Sequence, residues 1–190
     1  GNSDWKMNDI LYRLNREGKF GQDAEIFVRF PPNDFFDEAE LKRRPYLRYV
    51  YPGIRFSKKR GIDWDMSEAE LEELTQTLYH LNLVIGYASS IGIDAVVFDK
   101  PVIVINFEVH KAPMIASPSV YNQMEHYQKA LKTGGIRLVN NEEELVEWVN
   151  KYLADPSLDR EGRRRLVETQ CKFLDGKSGE RIGKFILAQL

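Results

Sequence analysis

Ser89 and Ser90 stand side by side after an apolar run, Leu83–Ile85, that stops at Gly86, and one acid, Asp94, follows them by about a helical turn. Two hydroxyls at a helix start, beside backbone N–H groups without intrahelical acceptors, make a seat for an anion such as phosphate. An acid one turn further on is placed to accept hydrogen bonds from a ribose or sugar hydroxyl. Together these residues read as a nucleotide-phosphate site. The competing explanation is structural, because serine at a helix start also serves simply as an N-cap. Arg29, Ser89, Ser90, Asn106 and Glu108 all fall at or just after the ends of strand-like runs. Ligands bind beyond the carboxyl ends of strands in parallel α/β sheets. Arg29 could face a diphosphate there, or could be tied up in a surface ion pair. Glu108 and His110 are candidates for acid–base work, the imidazole because it titrates near neutrality.

The elements that must position these residues follow from the hydrophobic pattern. Met7, Ile10, Leu11 and Leu14 form the stripe of a helix over Met7–Arg16. Glu25–Phe30 reads as a strand halted by Pro31-Pro32, Phe35–Arg43 as a short helix, and Tyr46–Tyr51 as a strand closed by Pro52-Gly53. Ile54–Asp65 reads as irregular, with Trp64 near its end. Ser67 followed by Glu70 is a capping box that opens a helix running to about Tyr79. The central unit is then a strand at Leu83–Gly86, the serine turn, a short helix closed by Asp99-Lys100-Pro101, and a strand at Val102–Ile105. Asn106–Val120 reads as a loop, Tyr121–Leu131 as a helix ended by Gly134-Gly135, and Ile136–Val139 as a strand. Asn141 with Glu144 reads as a second capping box. Helices over Asp159–Leu174 and Gly179–Leu190 complete the chain and are expected to lie across the sheet.

Strands alternating with helices predict an α/β fold with a mainly parallel, Rossmann-like sheet flanked by helices. The 190 residues, 43% hydrophobic and 29% charged, suit a single domain with a real core. A net charge of −2 offers no global basic field for nucleic acid or a membrane surface. Arg163-Arg164-Arg165 is expected on a solvated helix face. The single cysteine, Cys171, excludes an internal disulfide and suits a reducing, cytoplasmic compartment. No apolar run approaches the roughly 20 residues of a membrane helix. His80, His110 and His126 lack metal-ligand spacing with Cys171, so no metal is expected.

The stretch His80–Glu108, HLNLVIGYASSIGIDAVVFDKPVIVINFE, resembles the nucleotide-binding half of GT-B glycosyltransferases. In pattern it is nearest to bacterial surface-polysaccharide transferases and the glycerophosphotransferases of teichoic acid synthesis. The likeness rests on Ser89-Ser90, on Asp94 five residues after the first serine, and on Lys100-Pro101-Val102-Ile103. Asn82 stands where Asp is common. EIFVRFPPND, Glu25–Asp34, resembles the family's strand end, with Phe30-Pro31 in place of His-Pro. FLDGKSGERI, Phe173–Ile182, resembles its C-terminal ending, where Arg181 is expected to pack on the sheet or on a second domain.

The resemblance implies the GT-B C-terminal-domain type of fold, with a nucleotide-sugar or CDP-alcohol donor as substrate and no other cofactor. It assigns Ser89 and Ser90 to the donor phosphates, Asp94 to the ribose, and Gly86 to the turn between strand and site. Arg29 goes to the diphosphate, and Trp64 goes to a base-binding loop, unless it merely packs beside the following helix. Glu108 and His110 fall where donor-sugar contacts occur. It also implies that the first strand of the half is missing. Strand 25–30 then either pairs directly with strand 83–86 or leaves a gap between them. The acceptor-binding N-terminal half, the chief protein partner, is expected to be absent, so the chain alone would bind donor without transferring it. That absent half could also bring it to the inner membrane face. Two alternatives remain: a non-catalytic Rossmann-like nucleotide-binding module, and a domain like that of sugar-nucleotide 2-epimerases.

Overall fold

The computed structural model describes residues 2–21, 24–33, 35, 37–57, 63–109 and 117–189. The chain divides into two compact units, Gly1–Leu81 with Glu108–Pro113, and Asn82–Phe107 with Met114–Leu190.

The first unit opens with α1 (Asn2–Arg16), whose stripe buries Trp5, Met7, Leu11 and Leu14. It continues through β1 (Phe27–Arg29), α2 (Glu38–Lys42) and β2 (Arg48–Val50). β1 and β2 are parallel, with Phe27 opposite Arg48 and Arg29 opposite Val50. Trp5, Phe30 and Leu47 form the core of this unit, the Trp5 and Phe30 rings 5.4 Å apart. Phe30 is therefore a packing residue. Tyr46 Oη and the Nε and Nη2 of Arg44 converge on Asp9, at 2.7–2.8 Å. The segment expected to be irregular instead contains an antiparallel pair, β3 (Ile54–Arg55) with β4 (Trp64–Asp65). α3 (Glu68–His80) starts at the expected capping box, with Ser67 and Glu70 bonded reciprocally. The Glu70 carboxylate also accepts the Gly53 N–H at 2.7 Å, which holds the start of the hairpin to the helix.

The second unit carries three parallel strands in the order β5 (Val84–Gly86), β6 (Val102–Ile105), β7 (Arg137–Val139). Every residue of β6 is buried, as a central parallel strand requires. α4 (Ile91–Val97) makes the crossover from β5 to β6. The helix expected over Tyr121–Leu131 is two short ones, α5 (Pro118–Asn122) and α6 (Glu125–Leu131). α7 (Glu142–Ala154) is capped by the Asn141 side chain, which accepts the Glu144 N–H. The Glu144 carboxylate accepts from the Asn140 backbone and side chain rather than from the Asn141 N–H, so the box is not closed in the expected way. Of the two arrangements expected for strands 25–30 and 83–86, direct pairing or a gap between them, direct pairing does not occur among the described residues, where β1 pairs with β2.

α8 (Arg160–Gln170) corrects the expectation for one residue of the Arg163-Arg164-Arg165 run. Arg163 is 1% exposed and donates to Asp99 Oδ1 and to the Leu158 and Pro156 carbonyls at 2.6–2.8 Å. Arg164 and Arg165 are exposed as expected, Arg164 pairing with Glu161 and Glu168 while Arg165 also donates to the Thr133 carbonyl. Periodicity marks a face as polar but does not distinguish a solvated cation from one buried against acceptors. α9 (Ser178–Leu187) buries none of its residues, so it does not cover a sheet as expected. Arg181 instead grips Asp175 through two nitrogens and lies over the Phe173 ring, 4.0 Å from its centroid.

Gly162 is the tightest point of the second unit. A Cβ there would fall inside contact distance of the Gly134 carbonyl, and one on Gly135 would lie 2.7 Å from the Arg163 nitrogen. By contrast a Cβ on Gly183, inside α9, meets nothing within 4 Å. The two helical glycines should therefore respond oppositely to alanine. Gly183→Ala is expected to stabilise by roughly 0.5–1 kcal/mol through backbone entropy. Gly162→Ala gains the same propensity but forces backbone apart, for a net loss of about 2–3 kcal/mol. Urea denaturation of both variants checks this, and equal effects would show that α8 is not seated on the Gly134-Gly135 backbone.

Candidate functional site

The serine turn leaves the carboxyl end of β5 through Tyr87 and Ala88 and enters α4. Ser90 occupies the N-cap position but already has helical angles, φ −61° and ψ −25°, and its hydroxyl makes no capping hydrogen bond. The carbonyls of Ser89 and Ser90 accept from Gly92, Ile93 and Asp94 at 2.8–3.3 Å. The next two donors, the N–H groups of Ser90 and Ile91, have no backbone acceptor among the described residues. α4 has 7 residues, so an anion here would be held by these local donors and the two exposed hydroxyls rather than by an extended helix dipole. A Cβ on Gly86 would meet nothing within 4 Å, which leaves the space over the strand end open.

Asp94 sits one turn along the same helix. The residue is exposed, yet enough protein surrounds its carboxyl that desolvation raises its pKa above the ordinary value of 3.8. Across the α4–α8 contact, burial and then the Asp94 charge push the Cys171 thiol up, away from a reactive thiolate. Beneath the turn is a residue that sequence reading missed. Tyr127 on α6 is 5% exposed, and burial pushes its phenol up to about 12. The Ser89 backbone N–H acts on that hydroxyl in the opposite sense, but no hydrogen bond of good geometry is made. The apolar period of α6 marks Tyr127 only as core, so no sequence signal places its hydroxyl beside Ser89.

A second missed group lies at the carboxyl ends of β6 and β7. Asn106, just after β6, donates to Asn140, just after β7, at 2.8 Å and accepts from Asn122 at 2.8 Å. Asn140 in turn donates to Glu144 at 2.9 Å. A strand-end Asn was legible in the sequence, but its partners come from three separate elements. Ser89, Ser90, Asp94, Gly86 and this amide group all belong to the second unit.

The other candidates belong to the first unit. Arg29 is held by α3, its guanidinium 3.5 Å from the Glu70 carbonyl and 3.9 Å from the Glu73 carboxylate. Desolvation lowers its pKa, opposed by Glu73 and Glu70. Trp64 is 38% exposed on the β3–β4 hairpin, and Glu108 is exposed. His110 lies outside the described residues. No cluster of three or more His, Cys, Asp or Glu side chains suited to a metal occurs among the described residues. No described helix is long and apolar enough to cross a membrane.

Residues 49–188, well over half of the chain, match the family model of CDP-glycerol:poly(glycerophosphate) glycerophosphotransferase. The chain belongs to that family. It matches neither a curated protein nor a solved structure. The glycerophosphotransferase match covers the serine turn, Asp94, Tyr127 and the amide group, while Arg29 precedes it. Family membership supports a transferase-type function in polymer synthesis, with a nucleotide-activated alcohol as the kind of donor.

The uncapped serines separate binding from stability. Replacing both Ser89 and Ser90 with Ala should weaken CDP binding at least about tenfold, the value of a hydrogen bond or two to a charged group. The thermal midpoint should hardly move, because the Ser90 hydroxyl caps nothing. Calorimetric titration and thermal unfolding of the same variant test both halves. Asp94 adds a pH dependence with a definite sign. If its ionised carboxylate accepts from the ribose, that contribution is present above its folded pKa and lost as pH falls through it. Because that pKa is raised, the loss should begin at higher pH than for an ordinary Asp. Affinity for CDP, but not for pyrophosphate, should show it, and Asp94→Asn should abolish it.

Proposed function

We propose that residues 1–190 form a Rossmann-like nucleotide-binding domain, the donor-binding half of a GT-B-type glycosyl- or glycerophosphate transferase of surface polysaccharide synthesis. The observation that carries this reading is the serine turn. Two uncapped hydroxyls and two backbone N–H groups without backbone acceptors lie together at the carboxyl end of β5. An array of fixed donors with no acid among them suits phosphate oxygens.

In this reading Ser89 and Ser90 hold the phosphates of a CDP-alcohol or nucleotide sugar, and Asp94 accepts from the ribose. Arg29 adds charge to the diphosphate, Trp64 stacks on the base, and Gly86 keeps the strand end clear. The acceptor's hydroxyl oxygen attacks the donor phosphorus, or the anomeric carbon of a sugar. The bond to the leaving nucleotide breaks, and the acceptor's proton passes to a base. Fixed donors at the turn stabilise the charge that collects on the leaving phosphate. Glu108 and His110 are the candidates this chain offers for proton transfer. The acceptor and the main base belong to an N-terminal half, and the work is cytoplasmic, at the inner membrane face.

Positioning two substrates in a cleft supplies much of the rate of such reactions. The purified 190-residue chain should therefore bind CDP-glycerol and CDP, seen as a thermal shift that saturates with ligand. It should release no CMP from CDP-glycerol in the presence of a poly(glycerophosphate) primer. Multiple turnover by the chain alone would contradict the half-enzyme reading. Absence of any nucleotide-dependent shift would contradict the donor site itself.

A further inference from the structure

The amide group beyond β6 and β7 has a direction. Glu144 can only accept, and its carboxylate takes the Asn140 N–H and Asn140 Nδ2, both at 2.9 Å. That fixes the Asn140 amide with its nitrogen toward Glu144 and its oxygen away. Asn140 Oδ1 then accepts from Asn106 Nδ2 at 2.8 Å, and Asn106 Oδ1 accepts from Asn122 Nδ2 at 2.8 Å. Reversing any one amide would set oxygen against oxygen or nitrogen against nitrogen. The chain of amides therefore runs one way, and its far end is an oxygen, Asn122 Oδ1.

Among the described residues that oxygen has no partner. Asn122 is 3% exposed, and its Oδ1 is buried without a hydrogen-bond donor. The backbone carbonyl of the same residue is satisfied, by Gln128 Nε2 at 2.6 Å. A buried amide oxygen left open is a standing cost that an entering O–H or N–H relieves. The bridging diphosphate of a nucleotide-activated alcohol, which carries no proton at neutral pH and brings only acceptors, is excluded. An ammonium group would favour a carboxylate, and the carboxylate of this chain of amides lies at its opposite end. A neutral hydroxyl fits.

Position says which hydroxyl. β5 and β6 are adjacent and parallel, with Gly86 opposite Val104. The serine turn and Asn106 thus leave the same edge of the same sheet. We propose that Asn122 Oδ1, oriented through Asn106 and Asn140 by Glu144, accepts a hydrogen bond from a hydroxyl of the alcohol carried by the nucleotide donor. It would make Asn122 a specificity residue for polyol over simple alkyl donors. The inference rests on the donor-binding reading above and adds the group that reads the alcohol.

The test is calorimetric titration of the 190-residue chain with three probes: CDP, CDP-glycerol, and the propyl ester of CDP, which keeps the carbon skeleton and lacks the hydroxyls. The wild-type chain should bind CDP-glycerol about fivefold to tenfold more tightly than the propyl ester. Asn122→Leu should bring the two esters within twofold of each other and leave CDP affinity unchanged. Glu144→Ala removes the acceptor that orients Asn140 and frees the amides to reverse, so it should reduce the preference for CDP-glycerol without touching CDP. If Asn122→Leu fails to fold, Glu144→Ala decides, and an unchanged preference in it overturns the proposal. Equal binding of both esters by the wild-type chain overturns it too, leaving the oxygen as a seat for water. Failure of CDP itself to bind is a different result, which overturns the donor reading and this proposal with it.

Discussion

A buried cation fixes the second unit. Arg163 is almost wholly enclosed, and a guanidinium taken out of water costs several kcal/mol unless its donors are met. Here Asp99, Leu158 and Pro156 meet them. Asp99 closes α4 with a left-handed φ of 55°, and it also pairs with Arg160 at 2.7 Å. Burial alone would raise the Asp99 carboxyl, but Arg163 and Arg160 outweigh it and hold it below the ordinary range. On the other side of α8, Gly162 lets two backbones meet at Gly134-Gly135. α8 is thus seated between the end of α4 and the turn before β7. Since α8 packs on α4, the far end of α4, which is the serine turn, inherits a fixed position. The remote ion pair and the donors of the serine turn are two ends of one seven-residue helix.

Around that fixed helix the polar groups are sorted by what they can offer. The serine turn presents donors: two hydroxyls and the N–H groups of Ser90 and Ile91. The amides beyond β6 present an acceptor, whose direction is set by Glu144. A nucleotide-activated alcohol has acceptors on its phosphates and donors on its hydroxyls, so the sorting matches the two halves of such a molecule. Tyr127 is buried beside the turn, where burial raises the pKa of its phenol and the Ser89 N–H lies close by. Preorganised groups of this kind avoid reorganisation at the moment of reaction.

Local chemistry was legible in the sequence, and long-range chemistry was not. The Ser67–Glu70 box, the βαβ unit around the serines and the central strand Val102–Ile105 follow from neighbours in the chain and were read directly. Arg163 was misread because a buried arginine and a solvated one have the same period, and only the distant Asp99 tells them apart. Gly134-Gly135 was read correctly as a helix stop, yet its close approach to Gly162 depends on a partner 27 or 28 positions away. Asn141 was read as a cap, but Glu144 was turned toward Asn140 by a network whose other members, Asn106 and Asn122, sit on different elements. The β3–β4 pair was hidden because its strands are two residues each, too short for an alternating pattern.

If the serine turn holds the donor phosphates, an anion sits on the N–H groups of Ser90 and Ile91. Amide resonances of the 15N-labelled chain, followed while CDP is added, test this most directly. The Ser90 and Ile91 amide protons should move downfield and saturate with CDP. Pyrophosphate should move the same two resonances, and the Asp94 amide, already bonded to the Ser90 carbonyl, should move less. Saturable CDP binding that leaves the Ser90 and Ile91 resonances in place would contradict it.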